Sequence, residues 1–148
     1  MSYVNLNYHL ITATKERKAF ITAEIRERLV KYIGGIIRNL DGALIEANGP
    51  EDHLHMAVIL NARHTVSDVM REIKAHSSGW VHETFPGLRV FGWQDGYAAF
   101  RVSHSQLPAV VEYIRRQLEH HHKMTFEEEL AKLLKLHAVE FDPKYLLG

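Results

Sequence analysis

The run His53-Leu54-His55-Met56-Ala57-Val58-Ile59-Leu60 constrains the fold more than any other stretch of this chain. Apart from the two histidines at its beginning it is continuously apolar, in the manner of a buried strand. Asn48-Gly49-Pro50 just before it reads as a turn, and Ala43 to Ala47 before that as a strand, so the two segments form a hairpin with the histidines early on a central strand. Side chains two apart share one face of a strand, and the two imidazoles therefore project together. Such a pair can grip a metal ion, or it can be an ordinary hydrogen-bonded pair in a core or at a sheet edge.

The remaining segments alternate. Val4 to Ala13 reads as a strand and Thr22 to Asn39 as a helix, with Thr22 as its cap and Ile25, Leu29, Tyr32, Ile33, Ile36 and Ile37 as its apolar stripe. Thr65 to His82 reads as a second helix, and Phe85-Pro86-Gly87 breaks the chain. Val90 to Trp93 and Tyr97 to Val102 are expected to pair as strands across Gln94-Asp95-Gly96. Strand, helix, strand, strand, helix, strand is the order of an α+β, ferredoxin-like (RRM-like) sandwich, an antiparallel sheet with helices on one face. A further helix, about residues 108–122, follows the polar connector Ser103 to Leu107 and carries Val110, Ile114 and Leu118 at helical spacing. Tyr113 and Gln117, four apart, share one of its faces. They suit a nucleophile and an oxygen ligand, or a half-buried tyrosine beside a solvated glutamine.

With 148 residues, 46% of them hydrophobic, the chain suits one domain over residues 1–148 with a C-terminal tail from about residue 123. The absence of cysteine excludes disulfides, thiolate metal sites and a cysteine nucleophile, and agrees with a reducing cytoplasm. No signal-peptide core or membrane-length apolar run is present, so a soluble cytoplasmic protein is expected. Eighteen basic residues balance eighteen acidic ones, yet the first 118 residues hold fourteen cations and twelve carboxylates. That slight excess permits a nucleic-acid partner through local placement. Arg26, Arg28, Lys31 and Arg38 fall on the first helix, Arg71 and Lys74 on the second, and Arg115 and Arg116 flank Tyr113; the last four are the candidate DNA contacts. His120-His121-His122 reads as a polar helix end or as an auxiliary phosphate or metal contact.

Several motifs, in order, resemble the single-tyrosine HUH transposases of small bacterial insertion sequences, a family that includes the repeat-associated tyrosine transposases. They are Tyr8-His9-Leu10 leading to Thr14-Lys15-Glu16-Arg17, Asp52-His53-Leu54-His55, Trp93-Gln94-Asp95-Gly96-Tyr97-Ala98-Ala99-Phe100, and Tyr113 with Gln117. The tail, Thr125-Phe126-Glu127-Glu128-Glu129 and then Phe141 to Leu146, is similar to the ending common in that family.

The resemblance implies the same sandwich fold and a DNA transposase that cleaves and rejoins single-stranded DNA through a 5′-phosphotyrosine. Tyr113 would be the nucleophile, and His53, His55 and Gln117 the ligands of a divalent metal, magnesium or manganese. The substrate would be an insertion-sequence end marked by a hairpin. The working unit would be a homodimer in which tyrosine helices can be exchanged between chains. A phosphotyrosyl ester conserves the broken linkage, which agrees with the lack of any Gly-x-x-x-x-Gly-Lys-Ser/Thr loop for a nucleotide cofactor. A domesticated relative processing chromosomal palindromic repeats would keep the same residues, and a hairpin-binding module without catalysis would not need them. The Trp93 to Phe100 motif suits core packing and the shaping of a DNA-facing surface equally.

Overall fold

The computed structural model describes residues 1–120 and 123–146. Four strands, β1 (Asn7–Ala13), β2 (Ala43–Asn48), β3 (His53–Ile59) and β4 (Ala98–Val102), form one antiparallel sheet in the order β2-β3-β1-β4. With α1 (Ala23–Asn39) after β1 and α2 (Val66–Thr84) after β3, the connectivity is that of the expected ferredoxin-like sandwich. β1 begins at Asn7, three residues later than its apolar pattern suggests.

Strand alternation divides the sheet into two chemically different faces. Leu10 of β1 and Leu54, Met56 and Val58 of β3 point to one side, where they pack with Leu29, Ile33 and Ile37 of α1 and Val69, Met70 and Ile73 of α2. Burying each such side chain stabilises the fold by about 1.5–3 kcal/mol. Thr22 sits at the N-cap of α1 with no side-chain hydrogen bond, whereas the Thr65 hydroxyl accepts from the Asp68 N–H at 3.0 Å and caps α2. On the other face lie Ile11, Ala13, Ala98 and Phe100, covered by Phe126, Leu130 and Leu134 of α5 (Phe126–Leu136). Thus helices cover both faces. The tail is a capped helix: the Thr125 hydroxyl accepts from the Glu128 N–H at 3.2 Å, and the Glu128 carboxylate accepts from the Thr125 N–H at 3.4 Å.

Two expectations are corrected. The Val90–Trp93 and Tyr97–Val102 strand pair does not form, because Phe91 is buried beside Phe20 in the α1/α2 core and Trp93 bridges Thr14 at the end of β1. The Trp93 indole donates to Ser77 Oγ at 2.9 Å, and this ties the segment to α2 and away from residues 97–102. The tyrosine helix is also shorter than residues 108–122. α3 (Leu107–Arg115) ends at Arg116, which leaves helical geometry, and a short α4 (Gln117–His120) follows. His121 and His122 lie outside the described residues.

Candidate active site

Register places the two histidines where the alternation argument put them. His53 pairs with Ala13 and His55 with Ile11, on the face opposite Leu54. The turn before them is tight: a Cβ at Gly49 would lie 2.2 Å from the His53 carbonyl oxygen, so only glycine fits there. The His53 Nδ1 lies 2.8 Å from Asp52 Oδ1, and the His55 Nδ1 lies 2.8 Å from His9 Nε2 on the neighbouring strand. Each ring is thereby oriented with its Nε2 toward α5.

α3 lies across β2 and β3 of its own chain, tied to β2 by Asn48 Nδ2 donating to the Arg115 carbonyl at 3.0 Å and Arg115 Nε to Glu46 at 2.7 Å. Tyr113 and Gln117 thus reach the histidine face, one from α3 and the other from the first residue of α4. They meet the histidines through Glu129 of α5. The Tyr113 hydroxyl and Gln117 Nε2 both donate to Glu129 Oε2, the latter at 2.8 Å, while Glu129 Oε1 faces His55 Nε2 at 3.2 Å and His53 Nε2 at 3.5 Å. His53, His55, Gln117 and Glu129 are between 0% and 4% exposed, so this is a buried polar centre.

Burial and proximity set its electrostatics. Burial opposes charge on Glu129, yet the His53 and His55 imidazoles that face it override that cost and hold the carboxyl far below the usual range. Burial likewise works against a charged His53, but the Asp52 and Glu129 carboxylates win and raise its pKa. His9, buried and beside His55, is lowered to about 3 and is neutral. Burial, and then the hydrogen bond to Glu129, push the Tyr113 phenol above its ordinary pKa, so this arrangement keeps it protonated.

A cation fits these groups. At 3.5 Å the His53 Nε2 is too far from Glu129 for a useful hydrogen bond and is left buried without a partner. Donor atoms of His53, His55 and Glu129 lie within 4.8 Å of one another. Two imidazoles and a carboxylate are a common ligand set for divalent metals. Glu129 is the member that sequence reasoning missed. Gln117, expected to give its oxygen to a metal, here turns its NH₂ to that carboxylate.

The candidate DNA-contact cations are dispersed. Arg115 pairs with Glu46 and Arg116 with Glu112 at 3.1 Å, both near Tyr113. On α2, across the sheet, Arg71 pairs with Asp68 at 2.9 Å, and the Lys74 ammonium donates to the carbonyls of Gln94, Asp95 and Gly96.

A ferredoxin-like sheet carrying a histidine pair under a tyrosine helix defines the single-tyrosine HUH transposases. Residues 2–117 match the family described as "Transposase IS200 like", and the chain belongs to that family of DNA-cleaving enzymes. It is similar to the transposases for insertion sequence element IS200 of Salmonella typhimurium and Salmonella typhi, each 30% identical over 125 residues that span 78% of either chain. Among solved structures it resembles a candidate transposase of Deinococcus radiodurans R1, with a TM-score of 0.65 and 24% identity over 78% of this chain and 93% of that one. It also resembles a REP-associated tyrosine transposase bound to a REP hairpin, with a TM-score of 0.62 and 16% identity over 99% of this chain and 88% of that one. No helix among the described residues is long and apolar enough to cross a membrane.

Proposed function

We propose that this chain cleaves and rejoins single-stranded DNA at hairpin-marked sites, acting as one domain over residues 1–148 with Tyr113 as its nucleophile. The observation that carries the reading is the convergence of Tyr113 and Gln117 with His53 and His55 on a single carboxylate, from segments about sixty residues apart, in a member of a transposase family. His53, His55 and Glu129 would hold a divalent cation, magnesium or manganese, with Gln117 beside it. When bound, that ion supplies positive charge to polarise the scissile phosphate and stabilise the departing 3′ oxygen. The Tyr113 oxygen gives up its proton and attacks phosphorus as the bond to the 3′ oxygen breaks, and that oxygen takes up a proton, leaving a 5′-phosphotyrosine and a free 3′ hydroxyl. A second strand's 3′ hydroxyl reverses the step and rejoins DNA. Asp52 and His9 keep the imidazoles aimed throughout. Two copies as a homodimer would hold two DNA ends, with each tyrosine helix serving its own site or exchanged into that of the other copy.

Processing of chromosomal palindromic repeats is the second reading. It is favoured by the fold match to the REP-associated transposase, which extends over 99% of this chain, whereas the family match ends at residue 117.

The test is incubation of the protein and manganese or magnesium with labelled single-stranded DNA from repeats flanking its gene, followed by denaturing electrophoresis. A covalent protein–DNA band is expected, and Tyr113→Phe should abolish it while hairpin binding survives. An adduct that persists in Tyr113→Phe would move the nucleophile to another residue.

A further inference from the structure

Tyr113 and Glu129 do more than meet over the histidines, because both also line an open cavity of about 550 Å³ that lies between α3 and α5. Helical spacing builds its two walls. Ala109, Val110 and Tyr113 recur three and four apart along one side of α3, and Glu129, Lys132, Leu133 and Leu136 do the same along α5, with His9 of β1 at the floor. Glu129 and Leu136 are seven residues apart, so the cleft extends about 10 Å away from the nucleophile.

Its chemistry changes along that length. At the Tyr113 end it presents a hydroxyl, a carboxylate and an imidazole, whereas beyond them the walls are Ala109, Val110, Leu133 and Leu136. His137 stands at the far end, exposed, with its ring stacked on Phe100 at 4.3 Å between centroids. Lys132, one turn beyond Glu129, is exposed and has no ion pair or side-chain hydrogen bond among the described residues. Arg71, Lys74, Arg115 and Arg116 differ, since each of their charged groups is already engaged. A mostly apolar cleft with a ring at one end, a nucleophile at the other and an unengaged ammonium on its wall suits a flat apolar body joined to phosphates.

The reaction narrows the choice of ligand. A phosphorus attacked by Tyr113 comes within about 3–3.5 Å of the phenol oxygen, so a nucleotide next to the scissile phosphate lies where this cleft begins. We propose that the α3/α5 cleft seats one unpaired nucleotide flanking the scissile phosphate, with its base against Val110 and Leu136 toward His137 and its outer phosphate at Lys132. The apolar walls take the faces of the base and leave its edges unread. The proposal deepens the DNA-cleavage reading above and rests on it.

The test starts from the single-stranded oligonucleotide that the wild-type chain cuts, and reads the rate of covalent adduct formation at limiting DNA. Abasic sugars are placed singly at each position around the cleavage site. At one position next to the scissile phosphate, loss of the base should slow the wild type about fivefold or more, as expected when one stacked base is removed. Ala109→Trp, which narrows the cleft from an exposed position, should slow cutting of the intact strand by a similar factor, yet slow the abasic strand by less than about twofold, because both changes remove the same contact. Leu136→Glu on the opposite wall, at a residue 76% exposed, should show the same overlap. Thermal unfolding and manganese binding of both variants should match the wild type, and Ala75→Trp, exposed on α2 across the sheet, should leave the rate unchanged. In the Tyr113→Phe chain, Lys132→Ala should lower the slope of log affinity against log salt by about 0.7, the share of one phosphate on a single strand. If the wild type cuts but the abasic and cleft losses simply multiply, the seat is refuted and the cleavage reading stands; an unchanged salt slope overturns the assignment of Lys132. If no adduct forms with any single strand from the flanking repeats, both readings fall.

Discussion

The two faces of the sheet use the same strands for opposite purposes. On the α1/α2 face Leu10, Leu54, Met56 and Val58 interlock with two long helices, whereas the α5 face places three histidines beside a cluster of Ile11, Ala13, Ala98 and Phe100 and closes over them with an eleven-residue helix. Leu54 and His55 are adjacent in sequence and belong to different machines. What this teaches is that strand alternation lets a small domain separate its stability from its chemistry without separating them in sequence.

The largest effect should come from testing that separation at its sharpest point. Leu54→Ala removes a fully buried side chain from the large core and should cost about 2–5 kcal/mol in thermal or urea unfolding, yet still form the DNA adduct below its lowered melting temperature. His55→Ala should form no adduct at any temperature. An inactive but stable Leu54→Ala, or an active His55→Ala, would break the comparison.

A smaller effect sharpens the ligand assignment. Calorimetric titration of the Tyr113→Phe chain with manganese should show Glu129→Gln weakening binding at least about tenfold, since it removes the one anionic donor, and Gln117→Ala weakening it less. Equal losses would restore Gln117 as a ligand of the same rank as the histidines. The smallest effect concerns the cover: Thr125→Ala removes the α5 cap and should cost about 1 kcal/mol, seen as faster amide exchange in residues 126–136 with β1 and β3 unchanged.

Much of this was legible in sequence, and for identifiable reasons. The period of two in residues 53–60 put His53 and His55 on one face, and the spacing of four put Tyr113 and Gln117 together even though a helix break falls between them. Glu129 escaped because it stands in a run of three glutamates, which reads as ordinary acidic decoration of a helix start. The signal was present nonetheless. Thr125 and Glu128 spell a capping box, and with that start fixed, residues 126, 129, 130 and 133 fall on one stripe, where a carboxylate among apolar neighbours is conspicuous. The Val90–Trp93 strand misled because its apolar residues serve tertiary contacts of Phe91 and Trp93, which no local pattern can express.

The packing of α5 also ties the ligand set to the stability of a single helix. Glu129 is carried by the helix whose Phe126, Leu130 and Leu134 cover Ile11, Ala13, Ala98 and Phe100, so loss of that small cluster would withdraw the carboxylate from His53 and His55. An ion held by all three residues would in turn stabilise the seating of α5, and each 1.4 kcal/mol taken from the cluster would raise the undocked population about tenfold.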